Sequence, residues 1–253
     1  MQTNGSPDTI PESPGTSAAD GEIQTEQLSV PRPLGGAAPM QAYLARPSDG
    51  GSGRHPGVLV IHEIFGLNDN IRDITRRFAR AGYVGLAIDL FAGVNRAICL
   101  ARVMAGIFVT PLRNGTVSEL QLALEALQGQ ASVDARRVGV IGFCMGGSYA
   151  LQLACVDGSL RAASVFYGQN PRPLEAVARA CPIVGSYPEQ DFTAGQGRRL
   201  EAALRRFAIP HDVKIYPGAH HSFFNDHGRV YDPAAAADAW SRTLAFFQDH
   251  LAE

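Results

Sequence analysis

The sequence predicts an α/β protein in which a mostly parallel central sheet carries helices on both faces within a single domain. Three observations point to this class. The chain has 253 residues, of which 45% are hydrophobic, and this is enough for one large core. Short runs rich in β-branched residues alternate with segments of helical periodicity. A glycine-rich turn joins one such run to a helix, and sites in sheets of this kind lie beyond the carboxyl ends of the strands.

Composition and charge exclude several classes of protein. The formal net charge is -2, and the lysines and arginines are spread along the chain, so there is no basic stripe for nucleic acid and no polybasic membrane patch. No apolar run reaches the roughly 18 residues that a membrane helix needs. We therefore expect a small-molecule partner, with no nucleic acid and no membrane. The sequence does not determine the oligomeric state.

The cysteines indicate a reducing environment. Cys99, Cys144, Cys155 and Cys181 have neither the spacing of metal ligands nor the density of a disulfide scaffold. The N-terminus lacks the basic, apolar and small-residue order of a signal peptide. We expect reduced thiols and a cytoplasmic location. We also expect no bound metal and no cofactor, since no nucleotide or flavin motif occurs.

Two polar stretches interrupt the pattern. The first 26 residues are rich in Ser, Thr, Gly, Pro and acids and carry few large apolar side chains. Such a segment cannot bury enough surface to offset the entropy of ordering it. The sequence therefore predicts a flexible N-terminal tail over 1–26 and a globular domain over 27–253. The second stretch, 46–57, is typical of a surface turn between two strands.

The alternation begins with a strand over 57–63, a helix, and a strand over 83–90. The apolar residues of the helix lie three and four positions apart: Ile71, Ile74 and Phe78. Asn68 or Asp69 can cap its start, and Gly82 ends it.

The same alternation continues along the rest of the chain. Strands are predicted at "RRVGVIGF", "AASVFYG", "CPIVGSY" and "HDVKIYPG", and a helix at "MGGSYALQLAC". Three further helices are indicated by apolar sets: Val117, Leu120, Leu124 and Leu127; Leu200, Leu204 and Phe207; Trp240, Leu244, Phe247 and Leu251. The segment 95–115 fits the scheme least well. It is either a helix and loop over the site or an ordinary covering helix.

The stretch "GFCMGG", residues 142–147, is the strongest candidate for a catalytic turn. The G-x-C-x-G pattern between a strand and a helix is typical of a nucleophile in a strained turn, where flanking glycines avoid clashes. Cys144 would lie at the tip of this turn. The helix that begins near Met145 favours thiolate through its positive end, and the Met145 backbone N–H can meet an oxyanion. The alternative is a buried structural cysteine in a glycine-rich turn.

A nucleophile needs a base, and the base needs an orienting acid. In this architecture the acid follows a later strand and the histidine follows the last strand. Asp191 ends one predicted strand, and Glu189 is a competing acid within the turn. His220 and His221 end the final strand, and the spacing does not distinguish between them. Each could also be a solvated loop residue.

The stretch "IHEIFGLND" follows the first strand of the alternating series. The loop at this point supplies the second oxyanion N–H in this architecture, and Ile64 is the expected donor. Glu63 then lies beside the nucleophile, where it can accept the thiol hydrogen bond or proton and disfavour a free thiolate. Its alternative role is a carboxylate at a helix entry. The zinc motif H-E-x-x-H fails here because the second histidine position is Gly66.

Five segments together resemble the dienelactone hydrolase family of α/β-hydrolases, from about residue 28 to the end: "IHEIFGL", "IDLFAG", "GFCMGG", "GSYPEQD" and "YPGAHHSFFND". The resemblance implies an α/β-hydrolase fold. It implies that Cys144 is the nucleophile, that Asp191 is the acid and that His221, in preference to His220, is the histidine. It also implies that Glu63 holds the thiol until substrate displaces it.

Two positions depart from the family pattern. The bacterial dienelactone hydrolases carry two arginines that hold the substrate carboxylate, and here these positions are Gly93 and Asn225. These residues cannot make a bidentate carboxylate clamp. Substitutes from the 95–115 segment are Arg96, Arg102 and Arg113, each of which could equally be a solvated helix charge.

The expected activity is hydrolysis of an ester or lactone (EC 3.1.1 type) through an acyl-enzyme on Cys144. His221, oriented by Asp191, supports proton transfer, and the N–H groups of Ile64 and Met145 meet the oxyanion. A thioesterase or acyltransferase would use the same residues. The other alternative is a non-catalytic, redox-sensing protein with an exposed Cys144.

Overall fold

The sheet organises the described part of the molecule. The computed structural model describes residues 23–32, 38–48, 53–93 and 95–252. Within these residues the sheet has eight strands in the spatial order β1-β2-β4-β3-β5-β6-β7-β8. The strands are β1 Ile23–Val30, β2 Met40–Pro47, β3 His55–Ile61, β4 Val84–Asp89, β5 Val133–Phe143, β6 Leu160–Phe166, β7 Ile183–Gln190 and β8 His211–His220.

Six α-helices of the described residues connect or cover these strands. They are α1 Asp69–Arg80, α2 Arg96–Phe108, α3 Gly115–Gln128, α4 Met145–Val156, α5 Ala194–Arg206 and α6 Pro233–His250. A short 3-10 helix spans Leu174–Arg179. No helix within the described ranges is both long and apolar enough to cross a membrane.

Strands β3 to β8 pair in parallel, whereas β1 with β2 and β2 with β4 pair antiparallel. Parallel neighbouring strands must be joined by crossover connections, and here these connections contain the helices that the periodicity predicts. The predicted mostly parallel α/β sheet is therefore confirmed. All carboxyl ends of the parallel strands meet at one edge, and the loops there form the candidate site.

Alternate residues of the central strands enter two different cores. On β3, Val58 and Val60 pack with α1 and α6, whereas Leu59 and Ile61 pack on the opposite face with α3 and α4. All four side chains are fully buried. This explains why β3 is a continuous apolar run, because both of its faces are covered.

The caps of α1 agree with the sequence prediction. The Asn68 side chain accepts a hydrogen bond of 3.1 Å from the Ile71 N–H. Gly82 follows the helix with φ of +90°, a left-handed conformation that glycine adopts without a steric penalty. The predicted turn over 46–57 is shorter than expected, since β2 extends to Pro47 and β3 begins at His55. Residues 49–52 lie outside the described residues.

The predicted boundary of the N-terminal tail needs a correction. Residues 1–22 lie outside the described residues, but 23–26 belong to β1 and pair with β2, Ile23 opposite Pro47 and Glu26 opposite Leu44. Gln24, Thr25 and Glu26 are exposed. An edge strand of this kind needs only backbone pairing, so its polar composition does not prevent a strand.

Candidate active site

Cys144 occupies a strained turn between β5 and α4. Its backbone has φ of 53° and ψ of -113°, a conformation that is rare for a residue with a side chain. The turn needs glycine at 142 and 146. A Cβ at Gly142 would overlap the Gly146 carbonyl, and a Cβ at Gly146 would overlap the Ile61 carbonyl. The glycines therefore let the helix start close against β3 and β5, with Cys144 at the tip.

The surroundings of Cys144 favour the protonated thiol. Burial raises the pKa of the thiol to about 12, and the negative charges of Glu63 and Asp191 act in the same direction. The Met145 backbone N–H opposes them by donating to the sulfur. The thiol must therefore lose its proton to a base before it can attack a substrate.

Asp191 and His221 are hydrogen-bonded to each other. The His221 Nδ1 atom lies 2.7 Å from Asp191 Oδ2, and the same oxygen accepts a hydrogen bond from the Thr193 hydroxyl. The competing candidates lie elsewhere: the Glu189 carboxylate accepts from the Gly218 N–H, and His220 is exposed. The geometry thus pairs the two residues that the family resemblance indicates.

Two aromatic rings enclose the His221 imidazole. Phe192 stacks on it with centroids 5.5 Å apart and an interplanar angle of 16°. Tyr167 lies against it at 4.9 Å. Burial, followed by the charge of Glu63, raises the pKa of the Tyr167 hydroxyl well above its usual value, so Tyr167 stays neutral. The rings restrict the orientation of the imidazole in addition to the Asp191 bond.

The Glu63 carboxylate is buried but bonded away from the thiol. It accepts a hydrogen bond of 2.8 Å from the Ser222 hydroxyl and one of 3.4 Å from the Asn225 amide. Among the described residues no hydrogen bond joins Glu63 to the Cys144 thiol, although its charge raises the thiol pKa. The expected hold of Glu63 on the thiol is therefore electrostatic in this structure.

His62 anchors the loop that carries Glu63. It is fully buried; its Nε2 accepts a 3.1 Å hydrogen bond from the Leu90 N–H, and its Nδ1 lies 2.5 Å from the Glu63 carbonyl oxygen. Because Nε2 accepts, the proton resides on Nδ1 and the ring is neutral. Burial lowers the pKa of His62, against the weaker opposing effect of Asp89.

A cavity of about 70 Å³ brings the candidate residues together. Cys144, His221, Ile64 and Met145 all line it, so both expected oxyanion donors are beside the nucleophile. The remaining lining residues are Met104, Ile107, Phe108, Ser148, Tyr167, Gln169 and Phe192. Three of them belong to α2, so the 95–115 segment is the helix over the site and not an ordinary covering helix.

The three arginines suggested as substitutes for the family clamp have different surroundings. Arg96 donates a 3.1 Å hydrogen bond to the Ile64 carbonyl and so supports the loop of the expected oxyanion donor. Arg102 pairs with the buried carboxylate of Glu119 at 2.8 Å. Arg113 lines a separate groove. None of the three lines the cavity that contains Cys144.

Several site residues escaped the sequence analysis. Ser222 and Thr193 bond to the candidate carboxylates, and Tyr167 and Phe192 enclose His221. A usable signal exists for two of them. Tyr167 follows the end of β6 and Ser222 follows the end of β8, the edge where sites form.

Comparison with known proteins agrees with this geometry. The model of the dienelactone hydrolase family matches residues 40–251. A protein of Saccharolobus solfataricus named "Putative carboxymethylenebutenolidase" is 35% identical over 250 residues, covering 83% of this chain and 94% of the relative. A Bradyrhizobium protein named "Probable 2-oxo-3-(5-oxofuran-2-ylidene)propanoate lactonase" is 32% identical over 224 residues, covering 83% of this chain and 89% of that protein.

A solved structure of a dienelactone hydrolase-like protein also resembles this chain along nearly its whole length. The crystal structure of a dienelactone hydrolase-like promiscuous phosphotriesterase from metagenomic libraries superposes with a TM-score of 0.78 at 26% identity, covering 91% of this chain and 99% of the other. The family match spans the catalytic turn, the Asp191 loop and the His221 loop. The chain therefore belongs to the dienelactone hydrolase family, with the α/β-hydrolase fold.

Proposed function

We propose that this chain hydrolyses an ester or lactone through an acyl-enzyme formed on Cys144. Membership of the dienelactone hydrolase family makes the chain a hydrolase of ester or lactone bonds. The observation that carries the cysteine mechanism is the common cavity of Cys144 and His221, with Asp191 bonded to the histidine at 2.7 Å. A nucleophile, a base and an orienting acid are the minimum set for such chemistry.

The first half-reaction begins with the neutral thiol. As substrate enters, Glu63 turns from Ser222 toward the sulfur, and the thiol proton passes to His221, whose imidazole then carries it. The Cys144 sulfur then forms a bond to the substrate carbonyl carbon. The negative charge that develops on the carbonyl oxygen is met by the N–H groups of Ile64 and Met145.

The first half-reaction ends when the carbon–oxygen bond of the ester breaks, the leaving oxygen takes the proton from His221, and a thioester on Cys144 remains. The second half-reaction regenerates the thiol. Water adds to the thioester while His221 accepts a proton from the water. The carbon–sulfur bond then breaks, the acid product is released, and the Cys144 thiolate takes the proton back from His221. A thiolate leaves more readily than an amine, so amide substrates would return to the starting complex.

A small, apolar substrate suits the cavity that contains Cys144. Met104, Ile107, Phe108 and Phe192 supply apolar surface around the sulfur, and Phe192 is 73% exposed at the mouth. An aromatic or alkyl ester can bury against these side chains. Water still has access for the second half-reaction, since the cavity is open.

The test is hydrolysis of p-nitrophenyl esters, small enol lactones and acyl-thioesters by the wild type and Cys144→Ala, with intact mass spectrometry for a covalent adduct. Activity and adduct should both vanish in Cys144→Ala and persist in Cys181→Ala, which removes a thiol outside the cavity. Equal turnover by wild type and Cys144→Ala would reject the nucleophile. Preference for thioesters or transfer to an acceptor other than water would favour the thioesterase or acyltransferase alternative.

A further inference from the structure

A second cavity adjoins the catalytic cavity on the side of α2 and α5. Its volume is about 270 Å³, and it shares the lining residues Ile107, Phe108 and Gln169 with the catalytic cavity. The two spaces therefore meet at one wall.

Of the residues that the structure describes, two arginines and no acidic side chain line the second cavity. Arg172 follows β6, and Arg199 lies on α5. Both are exposed, and within the described ranges neither guanidinium has a hydrogen bond or an ion pair. Two guanidinium groups at one cavity give it a positive potential that attracts anions. This favours an anionic occupant.

A chain of hydrogen bonds runs from residues that line the second cavity to the turn at Cys144. The Gln196 amide donates a hydrogen bond of 2.6 Å to Gln169 Oε1, and the Asn170 amide donates one of 3.0 Å to the Gln196 carbonyl. The Gln169 N–H donates a hydrogen bond of 2.8 Å to the Ser148 hydroxyl, which itself donates one to the Cys144 carbonyl. The second cavity is thus connected by a chain of bonds to the catalytic turn, so its position relative to the sulfur is well defined.

Positive charge continues beyond the second cavity. Arg172 also lines an outer groove of about 1060 Å³, together with Arg113 and Arg179, and among the described residues no acidic side chain lines that groove. Arginines lining a groove favour anions over cations there.

We propose that Arg172 and Arg199 form an anion subsite, which selects esters or lactones with a carboxylate several bonds away from the scissile carbonyl. The proposal rests on the proposed function, because it assigns the substrate class of the same site. Between the two ends, the substrate packs against Ile107, Phe108 and Leu174. Arginine suits the distant end because its planar donors match a carboxylate in a bidentate geometry.

The subsite differs in position from the clamp of the bacterial dienelactone hydrolases. The two positions of that clamp are Gly93 and Asn225 here, and the Asn225 amide is engaged by Glu63. Neither position lines the second cavity. Neither arginine lines the cavity that contains Cys144, so the subsite suits an ester whose carboxylate is separated from the scissile carbonyl by a longer chain.

The test compares two esters of equal chain length, the p-nitrophenyl monoester of adipic acid and p-nitrophenyl hexanoate. For the wild type, kcat/KM should favour the charged ester, and this preference should weaken as salt is added. The double variant Arg172→Gln/Arg199→Gln should lose about tenfold in kcat/KM for the adipate ester, mainly through KM, with hexanoate changed less than about twofold. Arg198→Gln, the neighbouring arginine outside the cavity, is the matched control.

The outcomes separate the two proposals. An unchanged ratio of the two esters in the double variant, with both still hydrolysed, overturns the subsite and leaves the proposed function intact. If the wild type hydrolyses neither ester, the proposed function is decided by the wider substrate panel with Cys144→Ala, and the subsite is tested separately by NMR titration with adipate. Binding that disappears in the double variant then supports the subsite, and binding that is absent or equal in both proteins overturns it.

Discussion

The Ser222 hydroxyl donates a hydrogen bond of 2.8 Å to the Glu63 carboxylate, which lies 159 residues earlier in the chain. Ser222 directly follows His221, so the loop that carries the candidate base also holds the carboxylate beside the nucleophile. Ser222 has φ of +64°, an uncommon conformation for a residue with a side chain. The loops after β3 and β8 are therefore joined at the site, and movement of either changes the surroundings of Cys144.

The first prediction concerns the reactivity of the Cys144 thiol. Because the pKa of the thiol is raised to about 12, alkylation by iodoacetamide should be slow at neutral pH and should rise steeply at alkaline pH. Glu63→Gln removes a negative charge near the sulfur and should lower the pKa, so alkylation at about pH 8 should become severalfold faster. Peptide mapping by mass spectrometry assigns the modified residue.

The control for this experiment is Glu125→Gln, which removes an exposed carboxylate of α3. Its rate of alkylation should match that of the wild type. Rapid alkylation of the wild type at neutral pH, with no effect of Glu63→Gln, would contradict the electrostatic role of Glu63.

The second prediction concerns the acid that orients His221. Asp191→Asn keeps the shape of the side chain but removes the charge and the preferred Nδ1 proton position, so kcat/KM should fall by about 100-fold or more. In Glu189→Gln, which changes the competing acid nearby, kcat/KM should fall by less than about twofold. Steady-state kinetics on one ester measures both. A larger loss in Glu189→Gln than in Asp191→Asn would reverse the assignment.

The third prediction concerns the backbone of the catalytic turn. Gly146→Ala would drive a methyl group into the Ile61 carbonyl and close to the His62 carbonyl. These backbone atoms belong to β3 and to the residue that follows it, and they cannot shift without disturbing the sheet. The free energy of unfolding should therefore fall by about 3 kcal/mol. Gly158→Ala, where a Cβ meets nothing within 4 Å, is the control. Denaturant titration measures both, and equal midpoints would refute the close approach of α4 and β3.

The fourth prediction concerns His62 and the pH dependence of stability. The pKa of buried His62 lies below its ordinary value, so the unfolded chain takes up this proton first as the pH falls. Stability should therefore be unaffected by His62 above about pH 6.5 and should decline below it, by up to about 1.4 kcal/mol per pH unit. His62→Leu should be less stable at pH 7 by about 2–4 kcal/mol, since the Leu90 N–H and the Glu63 carbonyl lose a partner.

The decisive readout is the slope of the free energy of unfolding between about pH 6.5 and pH 5. It should be flatter in His62→Leu than in the wild type and in His227→Gln, whose histidine is exposed. Equal slopes in all three proteins would show that His62 is not the titrating group.

The strands and helices could be predicted because their signals are local. The alternation of apolar runs indicates β3, α1 and β4, and the capping residue Asn68 and the terminal Gly82 are as expected. The exception, β1, fails for a definite reason. An edge strand gains its stability from pairing with β2 and buries few side chains, so Gln24 to Glu26 carry no hydrophobic pattern.

By itself the sequence determined the order of the elements from β3 onward, the glycine-flanked turn at Cys144 and a candidate set of Glu63, Asp191 and the pair His220 and His221, of which the family resemblance indicates His221. These depend on residue types and on periodicities that span a few positions. Only the tertiary structure decided that Ser222 holds Glu63, that α2 covers the cavity and that Arg172 and Arg199 line the adjoining one. Such contacts join residues distant in the chain, and they depend on how loops close over the sheet edge, which no local pattern records.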